Sequence, residues 1–318
     1  MRALITGVGG FVGPHLVRLL RRATDWEVFG LCRHPVDGGE YAPIIADLLD
    51  REAVAGAVVV AAPTHVFHLA AQSHVPTSHR DARGTLTNNL IGQVNLLDAC
   101  RDLPALPRVL VVGSAEEYGL ARAEEMPLGE GQPFRPTSPY AVSKVAQDLL
   151  GWQYFISYGL PVVRVRPFNH TGPGQSDRFV VSDFARQVAE IEADRAAPVI
   201  RAGNLDARRD FLDVRDVVRA YHLALTRGEP GAVYNIGSGV AVRIGDVLAL
   251  LRGLARVPVE VAPEPSRMRP SDVPLLVADT RALRAATGWQ PEIPFEQSVR
   301  DTLDWWRARV TRGMTSDE

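Results

Sequence analysis

Ala3-Leu4-Ile5-Thr6-Gly7-Val8-Gly9-Gly10-Phe11-Val12-Gly13 is a short apolar run that ends in a cluster of glycines. Behind the cluster, Val12, Leu16, Leu19 and Leu20 recur at helical spacing. A strand, a glycine turn and a helix in that order form the context in which a glycine motif binds a nucleotide. Glycines let the backbone approach a pyrophosphate, while the helix N-terminus offers unpaired N–H groups and a positive dipole. The spacing Gly7, Gly10, Gly13 differs by one residue from the ordinary dinucleotide fingerprint.

Outward from this unit, strands are expected at Glu27–Cys32, 44–48, 65–70, 108–113 and 162–166. Helices are expected after Asp50, over 85–103 and from Pro139 to Tyr158. The 85–103 helix should turn Leu90, Val94, Leu97 and Cys100 inward, and it carries Asn88 and Asn89. Residues 108–113 are nearly all Val and Leu, as in a strand buried on both faces. The alternation predicts an α/β fold, a doubly wound parallel Rossmann-type sheet with a smaller C-terminal α/β lobe. Residues 1–167 with about 211–237 are assigned to the nucleotide-binding domain, and 168–210 with 238–318 to the lobe. The stretch 166–174 reads as an exposed functional loop. After it come helix 179–193, strand 198–202, helix 214–227, strand 232–236, helix 244–255, strand 257–262, a Pro-rich segment 263–274 and a helix near 294–310.

The chemistry centres on Ser138-Pro139-Tyr140-Ala141-Val142-Ser143-Lys144. Ser138 can cap a helix that Pro139 begins, and Tyr140 and Lys144, four apart, share one face. A phenol beside an ammonium ion is a general acid–base pair, with the positive charge expected to lower the tyrosine pKa. Ser114 falls at the C-terminal end of a strand, where open parallel sheets bind ligands. Arg33 follows the second strand with no acid before Asp37, which favours NADP(H) over NAD(H) without excluding the latter. Asp47 is placed to accept from the adenine amino group. Arg208-Arg209 and Arg267-x-Arg269 can grip a diphosphate, Asp272 can accept from ribose hydroxyls, and Asn204 can meet a base edge. Glu117, Tyr118 and His170 read as structural.

Composition narrows the alternatives. The 318 residues are 46% hydrophobic and carry a formal charge of −2, which leaves no basic footprint for nucleic acid. Cys32 and Cys100 lack metal-ligand spacing and read as core residues of a reducing compartment. The eight histidines show no ligand spacing either, so no metal is expected. The longest apolar run, 53–62, is too short for a membrane span, and a strand right after Met1-Arg2 leaves no room for a signal peptide. A cytoplasmic protein is the expectation.

Thr6-Gly7-x-x-Gly10-x-x-Gly13, Asp47, Leu69-Ala70-Ala71, Ser114, Tyr140-x-x-x-Lys144 and Arg166-Pro167-x-Asn169 together resemble the extended short-chain dehydrogenase/reductase family, whose members act on nucleotide-activated sugars. The resemblance runs from residue 1 to about 310. It implies Tyr140 as catalytic acid or base, Ser114 as its partner on the substrate oxygen, and Lys144 as the residue that tunes the tyrosine and holds the nicotinamide ribose. It further implies cofactor contacts from Gly7, Gly10, Phe11, Val12, Gly13, Arg33, Asp47, Leu48, Leu69, Ala70, Ala71, Asn89 and Pro167. Substrate contacts are implied for Asn169, Val180, Asn204, Leu205, Arg209, Arg269 and Asp272. The segments 113–119, 168–175, 203–205, 209–211 and 269–274 resemble the branch acting on GDP-bound deoxyhexoses. That branch implies reduction of the C4 ketone of GDP-4-keto-6-deoxy-D-mannose to GDP-D-rhamnose. Glu116 stands where the related 4,6-dehydratases (lyases) keep a catalytic glutamate, so dehydration is the alternative. The short loop after Arg33 and Thr171-Gly172-Pro173 after His170 point back to reduction. A non-catalytic NADP-sensing regulator on the same fold is the remote alternative. The family's habit implies a homodimer through helices near 90–100 and 140–157.

Overall fold

The computed structural model describes residues 1–34, 38–268 and 273–313. The first half alternates strand and helix: β1 (Arg2–Thr6), α1 (Val12–Ala23), β2 (Glu27–Cys32), β3 (Ala42–Ile45), α2 (Arg51–Ala61), β4 (His65–His68), α3 (Val75–Arg80), α4 (Ala82–Leu86), α5 (Gly92–Arg101), β5 (Arg108–Val112), α6 (Pro139–Tyr158) and β6 (Val162–Pro167). The second half adds β7 (Asn169–Thr171), α7 (Val180–Glu192), β8 (Val199–Ala202), β9 (Arg208–Asp213), α8 (Val214–Arg227), β10 (Val233–Ile236), β11 (Ala241–Arg243), α9 (Ile244–Leu254), β12 (Glu260–Pro263), β13 (Leu275–Leu276), α10 (Arg281–Thr287) and α11 (Phe295–Thr311).

Seven strands form one parallel sheet in the order β10-β6-β5-β4-β1-β2-β3. The order reverses direction beside β1, which places a crevice at the C-terminal ends of the central strands. Alternation along each strand separates two cores. Ala3, Ile5, Phe67, Leu110, Val163 and Val165 face α1 and α8, together with Trp26 and Trp289. Leu4, Val66, Val109, Val111 and Val162 face α2 and α5. A third core joins α7, α9 and α11 around Phe184, Val188, Leu248, Leu303 and Trp306.

Several expectations are corrected. The segment 166–174 is not all loop: Arg166 and Pro167 still belong to β6, and β7 runs parallel to β9, pairing Asn169 with Phe211 and Thr171 with Asp213. β9 also pairs with β11 and β13, so β7 belongs to a second, four-stranded sheet. The third strand ends at Ile45, short of Asp47. The 85–103 helix is broken by a π turn at Thr87–Ile91. Its extra residue rotates the register, so Asn89 is buried while Leu90 and Val94 are only half-buried. Cys100 is buried as expected, but Cys32 is half-buried. Among the described residues no helix is long and apolar enough to cross a membrane.

Candidate active site

α6 begins as its sequence requires. Ser138 Oγ accepts from the N–H of Ala141 at 3.1 Å, Pro139 takes the first helical position, and Gly159 ends the helix at φ +68°. Tyr140 and Lys144 then lie on the buried face, against the end of β5. Ser114 follows β5; its Oγ accepts from the N–H of Glu116 at 3.2 Å, and its hydroxyl neighbours that of Tyr140. Lys144 Nζ donates to the carbonyl of Val112 at 2.9 Å and lies 6.0 Å from the Tyr140 ring centroid. The expected trio is thus assembled.

The electrostatics differ from expectation at Tyr140. Burial pushes its hydroxyl up, the neighbouring Ser114 hydroxyl pulls it down, and the charges of Glu116 and Glu117 push it up further. Desolvation outweighs any effect of the lysine, whose ammonium is turned toward Val112, and Tyr140 is held as a phenol. Burial lowers the Lys144 ammonium to about 8, opposed by the charge of Glu117. Lys144 is also the only lysine in the chain, beside 34 arginines. A guanidinium stays charged under all conditions, whereas an ammonium can be tuned by its surroundings. That solitary lysine is a signal that composition alone carries.

Below the trio lies a buried ionic network. Asp148 on α6 accepts from Arg164 at 2.6 Å and from Arg166 at 3.0 Å. Arg166 also donates to Tyr118 Oη and to the carbonyl of Glu130, and Tyr118 donates to Asn235 at 2.6 Å. Glu117, ion-paired with Arg166 at 3.1 Å, and Tyr118 belong to this network.

The glycine turn lies at the end of β1. Gly7 has φ +69°, and a Cβ there would come within 2.8 Å of the Ala70 backbone. A Cβ on Gly13 would meet the carbonyl oxygen of Val8 at 2.1 Å, so only glycine lets α1 press onto the turn. Gly10 is exposed, and its N–H donates to the Gly7 carbonyl at 3.0 Å. Phe11 precedes α1 without a side-chain cap hydrogen bond, so its side chain leaves the first-turn N–H groups of the helix unsatisfied. Val12 is half-buried. Phe11 stacks on His170 (centroids 5.9 Å apart, planes 6° apart), which ties the turn to the β7 segment.

The remaining cofactor candidates stand around the same sheet edge. Leu69, Ala70 and Ala71 follow β4, with the Ala70 N–H donating to Thr6 Oγ1 at 3.2 Å. Asn89 accepts from the N–H of Gln72 at 2.8 Å and donates to the Gln72 carbonyl and to Ser143 Oγ, so it locks this loop to α6. Pro167 ends β6 and is buried. Arg33 is exposed just past β2. Asp47 is exposed in the turn after β3, its carboxylate accepting from the N–H of Leu49. Leu48 packs against Gly92, and its carbonyl accepts from Asn95.

Beside the trio is a cavity of about 100 Å³ lined by Glu116, His79, Thr137, Ser138, Asn169 and Arg209, among others. It gathers Glu116, Asn169 and Arg209 as expected; His79 and Thr137 were not anticipated, because neither belongs to a recognisable spacing. Val180, at the start of α7, and Leu205 pack on the third core, and the Asn204 carboxamide accepts from the N–H of Asp206 at 3.0 Å. These three do not line the cavity. Arg267 is not a free phosphate grip, being ion-paired with Asp183 of α7. Arg269 and Asp272 lie outside the described residues.

Comparison with known proteins fits this geometry. The family described as GDP-mannose 4,6 dehydratase matches residues 4–302. The chain belongs to this family. It is 39% identical to the GDP-6-deoxy-D-mannose reductase of Pseudomonas aeruginosa over 310 residues, covering 97% of this chain and 98% of that protein. Among solved structures, RMD from Pseudomonas aeruginosa complexed with NADPH superposes with a TM-score of 0.87 at 37% identity, covering 97% of this chain and 100% of that one. The UDP-glucose 4-epimerase of Thermus thermophilus in complex with NAD superposes with a TM-score of 0.84 at 33% identity, over 96% and 99% of the two chains.

Proposed function

We propose that the protein is an NADPH-dependent oxidoreductase that reduces the C4 ketone of GDP-4-keto-6-deoxy-D-mannose to GDP-D-rhamnose. The convergence of Ser114, Tyr140 and Lys144 at the carboxyl edge of the sheet carries this reading, and the full-length similarity to a GDP-6-deoxy-D-mannose reductase supports the choice of substrate. The turn fits a dinucleotide: Gly7 and Gly13 leave room that any Cβ would fill, and α1 presents its N-terminus uncapped. Gly7 to Gly13, residues 69–71, Asn89 and Pro167 would hold the cofactor, with Arg33 at the adenosine ribose and Asp47 near the adenine. NADP(H) is preferred, consistent with the NADPH complex of the similar Pseudomonas structure.

Bound NADPH supplies the hydride that C4 receives. Tyr140, held as a phenol, gives its proton to the ketone oxygen as it becomes an alkoxide. Ser114 hydrogen-bonds the same oxygen, and the Lys144 ammonium stabilises the phenolate left on Tyr140. The carbonyl thus gains one hydride and one proton and becomes a secondary alcohol. Residues 1–167 with 211–237 would bind the cofactor; 168–210 with 238–318 would bind the GDP-sugar, Asn169 and Arg209 facing it from the cavity.

The protein works as a homodimer in the cytoplasm. Val142, Leu149, Trp152 and Ile156 leave an exposed apolar stripe along α6, with Ile91 exposed at the π turn before α5, which supports pairing of these helices. Two free cysteines suit a reducing compartment.

Glu116 in the cavity favours one second reading, the 4,6-dehydratase, in which a carboxylate removes the C5 proton. Glu116→Gln separates the two. A reductase should keep much of its turnover of the 4-keto sugar, because nothing leaves C5. Loss of all turnover in a folded Glu116→Gln protein would count against the reductase.

A further inference from the structure

We propose that Glu117 is a positioning residue of this site: its buried carboxylate anchors the backbone of Ser114 and acts as the counter-charge for Lys144. The inference rests on the roles given above to Ser114, Tyr140 and Lys144. Glu117 follows Glu116 in a short exposed-looking sequence, yet it is fully buried. Its Oε1 accepts from the N–H of Ser114 at 2.7 Å. A Cβ on Gly113 would stand 2.2 Å from that same oxygen, so residue 113 must be glycine for the carboxylate to reach Ser114. Oε2 lies 3.1 Å from Arg166 Nε, and Arg166 is itself fixed by Asp148, Tyr118 and the Glu130 carbonyl.

A dry carboxylate is costly to bury, and a leucine would fill the space without that cost. The groups that face Glu117 explain why an acid stands there. The Ser114 N–H donates to it and Arg166 on β6 is ion-paired with it, while Asp148 and Lys144 face it from α6. Burial and Asp148 push the Glu117 carboxyl up to about 8 against the pull of Arg166, the Ser114 N–H and Lys144, so it ionises in the same range as the Lys144 ammonium. Lys144 is faced in turn by His68 from β4 and by Tyr140 on its own helix, neither of which offers a negative charge while neutral. Glu117 is the acid that opposes the desolvation of Lys144. One carboxylate therefore fixes both the residue that holds the substrate oxygen and the charge that stabilises the tyrosinate.

The solitary lysine makes the test direct, since lysine-labelled protein gives one side-chain amine signal by NMR. Glu117→Gln keeps an acceptor for the Ser114 N–H but removes the charge. The Lys144 titration midpoint should fall by about one unit or more, and the alkaline limb of kcat/KM should move the same way. Glu117→Asp, which keeps the charge, should leave the midpoint near that of the unaltered protein. An unchanged midpoint in Glu117→Gln overturns the proposal. If Glu117→Gln does not fold, the unaltered protein decides: its lysine signal must carry a second inflection as Glu117 takes up a proton, and absence of that inflection overturns the proposal. Tyr140→Phe separates this from the functional reading. Full activity in that variant would refute the assignment of the proton donor, while a shifted lysine midpoint in Glu117→Gln would still stand.

Discussion

Gly13→Ala should damage cofactor binding through a displacement that can be worked out. The new methyl group would stand 2.1 Å from the carbonyl oxygen, 2.5 Å from the carbonyl carbon and 2.7 Å from the Cα of Val8, all of them backbone. Ordinary contact needs about 3.5 Å, so α1 must retreat from the turn by more than about 1 Å. Leu16, Val17 and Leu20 of α1 are already packed in the core beneath it, which sets an overpacking cost of about 1–3 kcal/mol. The same retreat carries the first-turn N–H groups out of hydrogen-bond reach of a pyrophosphate. Loss of one charge-assisted bond, about 1.5–3 kcal/mol, corresponds to roughly 10- to 150-fold weaker NADPH binding. Fluorescence titration with NADPH reads the affinity, and thermal unfolding with and without NADPH reads both effects. Gly56→Ala is the control, because a Cβ there meets nothing within 4 Å and α2 should gain from it. Unaltered NADPH affinity in Gly13→Ala would refute the reasoning.

Three further outcomes are expected. Arg33→Ala should lower kcat/KM with NADPH and leave NADH nearly unaffected; equal use of both cofactors by the unaltered protein would show that Arg33 does not read the 2′-phosphate. Tyr140→Phe should lower turnover by about 10²–10⁴-fold while NADPH still binds, as measured by steady-state kinetics beside fluorescence titration. His65, stacked on Trp26 at 4.4 Å, is pushed down to about 4 by burial and by the charges of Arg108, His222 and the N-terminus. Its folded value lies below the ordinary 6.5, so its share of stability is present above that pH and is lost as pH falls toward 4. The loss should reach up to about 3 kcal/mol by urea unfolding, and His65→Gln should flatten that slope; parallel slopes for the two proteins would contradict it.

The parts of the molecule governed by local rules were legible in the sequence. α6 begins and ends where a capping serine, a proline and a glycine place it, and β2 and α8 fall at their expected limits. The glycine turn announced itself because only glycine tolerates its backbone and its close contacts. β9 was hidden because Arg208-Arg209-Asp210-Phe211-Leu212-Asp213 looks like a charged loop. Its acids are buried only because distant groups satisfy them, Asp210 accepting from the N–H groups of Ser238, Gly239 and Ala278. Those partners lie far along the chain, so no window of sequence contains the reason for the strand. The π turn escaped for a related cause: Asn89 is drawn inward by Gln72 and Ser143, and the helix adds a residue to reach them. Glu117 looked structural because the charged groups around it come from β6 and α6, not from its neighbours. The lysine was legible by position, but its electrostatic relation to Tyr140 was not, since that depends on burial.

Reduction of a 4-keto sugar is expected of the Ser114–Tyr140–Lys144 site. The most direct measurement supplies the protein with NADPH and either GDP-4-keto-6-deoxy-D-mannose or GDP-mannose, following NADPH absorbance and resolving products by NMR. The expected result is NADPH oxidation equimolar with GDP-D-rhamnose formed from the keto sugar, and GDP-mannose left essentially untouched. Rapid turnover of GDP-mannose with no net consumption of NADPH would contradict it.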